Sequence, residues 1–158
     1  MGASVGVLFD YFRAPDGETA LRLLDEGDGV PNGPATIAGL DALDAKGIDP
    51  HIALGELIGL IRAAPESADL VRTRFLWPPD GTEAQHEGPW LEELDDRIRD
   101  ALAGAEDRAL PSVAEEWVRI EEPGEVDTAP ALRFVESLVA LARRARQAND
   151  HLYCWTCL

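Results

Sequence analysis

A long amphipathic segment that runs straight into a strand-forming tail most constrains the fold of this chain. From Ala129 to Asn149, Leu132, Phe134, Val135, Leu138, Val139, Leu141, Ala142 and Ala145 recur at the helical period and cover about half of the circumference. Arg133, Glu136, Arg143 and Arg144 occupy the rest. So broad an apolar face must be covered by a second layer, because helices in proteins draw most of their stability from packing. Thr128 is placed to cap the helix, and its basic last turn suits the negative end of the helix dipole. His151 to Leu158 has strand propensity and reads as a strand that pairs back into a sheet. Helix and sheet sharing one core make this an α+β chain.

The opposite end leads to the same class. Val5 to Phe12 is short and rich in β-branched and aromatic residues, so it reads as a buried strand. Asp16 then offers an N-cap, Ala20, Leu21, Leu23 and Leu24 supply an apolar face, and Gly27 ends the helix. A chain of 158 residues matches one domain built around one core. The expectation is a single domain, 1–158, in which a small sheet including the N- and C-terminal strands packs against several helices, with the long C-terminal helix central.

Between these ends, Ile37, Leu40 and Leu43 suggest a short helical segment. Asp49-Pro50 is a helix start, a carboxylate cap followed by proline at the first helical position, and apolar residues from Ile52 to Ile61 surround much of that helix until Pro65. Leu70 to Trp77 alternates as a strand, with Val71, Thr73, Phe75 and Trp77 on one face and Arg72, Arg74 and Leu76 on the other. Asp80 to Pro89 is a polar connection long enough to be a binding loop. From Trp90, the spacing of Leu91, Leu94, Ile98, Ala101 and Leu102 predicts an amphipathic helix ending at Gly104, with Glu92, Asp96 and Asp100 as a carboxylate ridge opposite the apolar stripe. A further helix starts near Pro111 and uses Ala114, Trp117, Val118 and Ile120.

Few residues are spaced for catalysis. The glycines between Gly27 and Pro34 imitate a dinucleotide-binding fingerprint, but the third comes one residue late and the loop follows a helix, so it reads as a turn. Cys154 and Cys157 have the spacing of a disulfide oxidoreductase without the following helix that lowers a thiol pKa, and on a strand they face opposite ways. His151, Cys154 and Cys157 offer three zinc ligands where a structural site needs four, so His51 or His86 has to complete the set, and metal binding there stays open. Ser4, Ser67, Ser112 and Ser137 lie in no nucleophile elbow. No catalytic residue, metal or cofactor is expected. His51, in the first turn of its helix, reads as a structural histidine or a ligand contact.

Charge is the property with the clearest bearing on partners. Thirty Asp and Glu against fourteen Lys and Arg leave a formal net charge of −16, an excess that repels nucleic acid and anionic membrane and attracts basic surfaces. Sixteen of the acids fall between Asp80 and Asp127, against four arginines, so the excess is regional. Within that region the ridge Glu92, Asp96 and Asp100 and the flanking Trp77 and Trp90 form the expected binding surface, since tryptophan is a favoured interface anchor. Core packing of both tryptophans is the competing reading, and acidic drift of the whole composition competes with any specific partner.

The order of elements resembles the YfbM-like family, bacterial proteins grouped as a domain of unknown function. The residues that carry the resemblance are Val5 to Pro15 followed by a helix, Leu94 to Leu102 followed by a second short helix, and Leu132 to Ala148 running into Asp150 to Trp155. The resemblance implies an α+β fold and brings no established catalytic residues.

The expected function is a protein-interaction module that sets an acidic surface against a basic protein partner, an immunity-type, toxin-neutralising protein being one version. The alternative is a small hydrolase or ligand-binding enzyme with a site near His51, His86 and the 80–90 loop. No segment has the ~20 apolar residues that cross a bilayer, and the start has no basic leader region, so a cytoplasmic protein without membrane or nucleic-acid contacts is expected.

Overall fold

A computed structural model describes residues 7–25, 32–34, 37, 39–45, 47–64, 72–79, 88–122, 124 and 126–158. The strand closing the chain, β5 (His151–Cys157), carries the consecutive buried run Leu152, Tyr153, Cys154 and Trp155. Such a run needs cover on both faces, and β5 is the middle strand of a five-stranded antiparallel sheet ordered β2–β1–β5–β4–β3. The other strands are β1 (Leu8–Ala14), β2 (Ala42–Asp44), β3 (Thr73–Trp77) and β4 (Trp90–Leu94). The first and last strands pair along their whole length, from Leu8 with Cys157 to Ala14 with His151. The fold is therefore the α+β arrangement expected, with both terminal strands in one sheet.

Side-chain alternation divides the core in two. On one face Tyr11, Leu94, Leu152 and Cys154 meet the larger helical layer of α2 (Ile52–Ile61), α3 (Asp96–Ala103), α4 (Leu110–Glu121) and α5 (Ala129–Ala148). On the other, Phe12, Leu91, Tyr153 and Trp155 pack with Ala20 and Leu24 of α1 (Gly17–Leu24). Val135, Leu138, Leu141 and Ala142 put the apolar face of α5 into the larger core. Each large side chain buried there contributes about 2 kcal/mol relative to exposure. No described helix is long and apolar enough to cross a membrane.

The turn from α5 into β5 is tightly held. Asn149 adopts the left-handed conformation at φ 57°, which Asn tolerates, and its N–H reaches the carbonyls of Ala145 and Arg146. Arg13 of β1 donates to Asp41 and Asp150, each at 2.7 Å, while Arg99 of α3 donates to the Asp150 carbonyl at 2.9 Å. Arg144 donates twice to Asp41, at 2.7 and 2.9 Å, so one carboxylate ties α5 to β1.

Three local expectations change. Leu43, expected on a short helix with Ile37 and Leu40, lies in β2 opposite Tyr11, after Gly39 turns the chain with φ +82°. The helix expected from Trp90 starts only at Asp96, where the Asp95 side chain accepts the Arg97 N–H at 2.8 Å. Residues 90–94 form β4 instead, paired with β5 and β3. With both faces of β4 covered, its Leu91 and Leu94 imitate a helical spacing over five residues. Finally, a bulge between Phe75 and Trp77 moves Trp77 to the Leu91 face, away from Thr73 and Phe75.

Candidate functional site

Pairing in β4 decides where Glu92 points. Opposite Cys154 and Phe75 in register, it faces the larger helical layer and is only 3% exposed, so it stands on no solvated ridge. Glu93, its neighbour, faces the other way and accepts from Tyr153 Oη and Arg74, each at 3.2 Å.

The helix facing Glu92 begins as the Asp49-Pro50 pair predicts. The Asp49 carboxylate takes the backbone N–H groups of His51, Ile52 and Ala53 at 3.0, 2.6 and 3.1 Å, which satisfies donors that a helix start leaves free. This fixes the first turn of α2 so that the His51 ring reaches β4. Its Nε2 lies 2.8 Å from Glu92 Oε1, and Thr73 Oγ1 of β3 donates to the same oxygen at 2.9 Å.

An open depression of about 230 Å³ adjoins this pair. Phe9, Phe75 and Trp90 wall it, with Pro50, His51 and Glu92 beside them. Phe9 and Trp90 are both in register with Thr156, one on each side of it, so the two aromatic residues stand two strand spacings, about 10 Å, apart with a small residue between. Gly88, at φ +104°, brings the chain to Trp90, and a Cβ there would lie 3.1 Å from the indole ring. Only glycine combines that backbone angle with that contact.

The electrostatics follow from the geometry. Hydrogen bonding to Glu92 raises the His51 pKa above its ordinary value, with burial working in the opposite direction and the Glu92 and Asp49 charges adding to the rise. With Glu92 accepting from Nε2–H, the neutral ring keeps Nδ1 as its acceptor. Tyr11 lies deeper, donating to the Ile48 carbonyl at 2.7 Å, and burial pushes its phenol well up. Burial, reinforced by Glu92, also raises the Cys154 thiol, so this cysteine stays protonated and is a poor nucleophile.

The residues expected to form one binding surface separate. Trp90 and Glu92 join His51 at the depression. Trp77 packs in the smaller core on the opposite face of the sheet, its indole Nε1 without a partner among the described residues. Asp96 lies 2.6 Å from His151 Nδ1 and 3.5 Å from Arg99, and Asp100 lies 3.0 Å from Arg99, so local cations partly offset both. His86 and most of the 80–90 loop lie outside the described residues. His151, Cys154 and Cys157 do not converge, because Cys154 faces the larger core while the other two share the opposite face, and no metal-binding cluster occurs among the described residues. Phe9, Thr73 and Phe75 also belong to this site, and no sequence motif marks them. Thr73 and Phe75 do share a strand face in the sequence pattern, which was the available signal.

No protein-family model matches the chain, and no curated protein or solved structure matches it either.

Proposed function

We propose that the chain binds a small ligand in the aromatic-walled depression and that His51, held by Glu92, exchanges a proton with that ligand. One observation carries the reading: a carboxylate 3% exposed is hydrogen-bonded to a half-exposed imidazole that lines the depression. A buried carboxylate is costly to desolvate, and a well-packed apolar residue serves stability as well or better. Its use here is more readily explained by the imidazole it orients, since positioned His–carboxylate pairs serve acid–base chemistry. The walls favour a flat, largely apolar molecule with one exchangeable proton. A volume of about 230 Å³ limits it to a small body.

This reading follows the enzyme or ligand-binding alternative rather than the acidic ridge. The two unbridged cysteines, Cys154 and Cys157, suit a reducing compartment, and the cytosol is the proposed location.

A fragment screen by NMR tests the proposal, following the His51 ring protons and the Trp90 indole. Flat fragments with a weakly acidic N–H or O–H should shift both residues, and His51→Gln should weaken their binding several-fold while leaving the far-face Trp77 signal unmoved. Fragments that bind with equal affinity to His51→Gln, or that shift neither residue, reject it.

A further inference from the structure

We infer that the open trough between α4, β2 and the start of α5 is a docking surface for a basic, partly apolar segment of another protein. The trough has a volume of about 490 Å³ and shares no lining residue with the His51 depression. Its floor is apolar: Trp117 and Phe134 stack with ring centroids 5.9 Å apart, and Val118 and the exposed Val126 extend the surface. Trp117 donates its indole N–H to the Ala53 carbonyl at 3.0 Å, so its polar edge is satisfied within the fold and only hydrocarbon is left for the trough.

The rim has the opposite character. Asp44, Glu121, Glu122 and Asp127 stand around the floor, and none of them takes part in an ion pair among the described residues. Asp96 and Asp100, by contrast, have Arg99 and His151 beside them. Carboxylates without a cation partner among the described residues thus border an apolar floor, although Asp127 accepts the Ala129 N–H at 3.0 Å and Glu121 shares a hydrogen bond with Glu56, and the complementary surface is cationic at its edges and apolar at its centre. A nucleic acid or an anionic bilayer would meet the same carboxylates with like charge.

Length favours a polypeptide over a free small cation. A second depression of about 370 Å³ continues the trough, sharing Val118, Val126 and Asp127 with the first and reaching Thr128 and Glu115, the latter paired with Arg119 in the same lining. A compact amine fills one depression. A segment with an apolar anchor flanked by Arg or Lys spans both.

The test uses the full chain, a labelled helical peptide of leucine and arginine, hexa-arginine as a charge-only control, and benzyltrimethylammonium as a small competitor. Anisotropy and the Trp117 indole N–H signal are followed at low and high salt. The leucine–arginine peptide should bind about tenfold more tightly than hexa-arginine, weaken as salt is added, and shift the Trp117 signal. Glu122→Gln and Val126→Ser, both at exposed positions, should each weaken it about threefold or more, while Glu106→Gln, an exposed acid elsewhere, should not. Equal binding of hexa-arginine, or equal damage from Glu106→Gln, would reduce the effect to diffuse charge and overturn the inference. Complete displacement by benzyltrimethylammonium would make the trough a small-molecule site, and absence of peptide binding would remove the docking role.

Discussion

His51 Nε2 and Glu92 Oε1, 2.8 Å apart and 41 residues apart in sequence, join the first turn of α2 to the centre of β4. The bond does two things at once. It gives a buried carboxylate a partner, and it fixes which imidazole nitrogen remains open to a ligand. Thr73, donating to the same oxygen, ties the pair to β3.

Replacing Glu92 with Gln keeps the shape and removes the charge that favours the imidazolium form. The His51 titration, followed by NMR, should move to lower pH in Glu92→Gln, because the hydrogen bond that raises it is weakened and burial then dominates. The variant should also lose about 1.5 to 3 kcal/mol in urea denaturation, the range of a hydrogen bond to a charged group. An unmoved His51 titration contradicts the pairing.

The same pair makes stability depend on pH in a defined direction. His51 has a folded pKa above its unfolded value of about 6.5, so the folded state binds the proton more tightly. The stabilisation is fully present below that unfolded value and disappears as pH rises through the folded one. Wild type should therefore exceed His51→Gln in Tm by more at pH 5 than at pH 9, and the difference should be modest because the ring is half exposed. Equal differences at the two pH values would exclude proton linkage at His51.

How much of this was legible depends on pattern length. The α5 helix and the β1 and β5 strands were readable because each carries its periodicity over a long run or stands beside a clear stop, and their pairing is the backbone of the sheet. β4 was not. Five residues with Leu91 and Leu94 three apart fit a helix turn as well as a strand buried on both faces, and the choice rests on pairing with β5, which is remote in sequence. That one ambiguity put Glu92 on a solvated ridge and hid its bond to His51, although His51 itself stood out. Trp77 was misplaced by a bulge, which no alternation rule anticipates. The regional acidity was plain, whereas the Trp117–Phe134 floor beneath part of it is assembled from two helices.

Asp41 is the hinge pin of the α5–β1 junction, and its charge is what holds both arginines. Hydrogen bonds from Arg144 and Arg13 hold its carboxyl below the usual range against the effect of burial. A lowered folded pKa contributes stability above the unfolded value of about 3.9 and loses it as pH falls through the folded one. Asp41→Asn should therefore cost about 2 kcal/mol at pH 7 and progressively less in acid, as measured by urea denaturation at a series of pH values. A constant cost down to pH 2 would show that packing, not charge, is what Asp41 supplies.

At the rim of the trough the sign reverses. A hydrogen bond shared with Glu56, then partial burial and the charges of Glu56, Asp49 and Glu122, raise Glu121 to about 7. Between the ordinary carboxyl range and that value the folded chain holds a proton the unfolded chain has released, so stability falls as pH rises through the window. Above it, Glu56 and Glu121 are two charges forced together. Glu121→Gln keeps a donor for Glu56 and removes the second charge. The variant should match wild type near pH 5 and exceed it at pH 8, by no more than about 1 kcal/mol because water screens so exposed a group. Parallel Tm curves for the two proteins from pH 5 to 8 would contradict the raised pKa of Glu121.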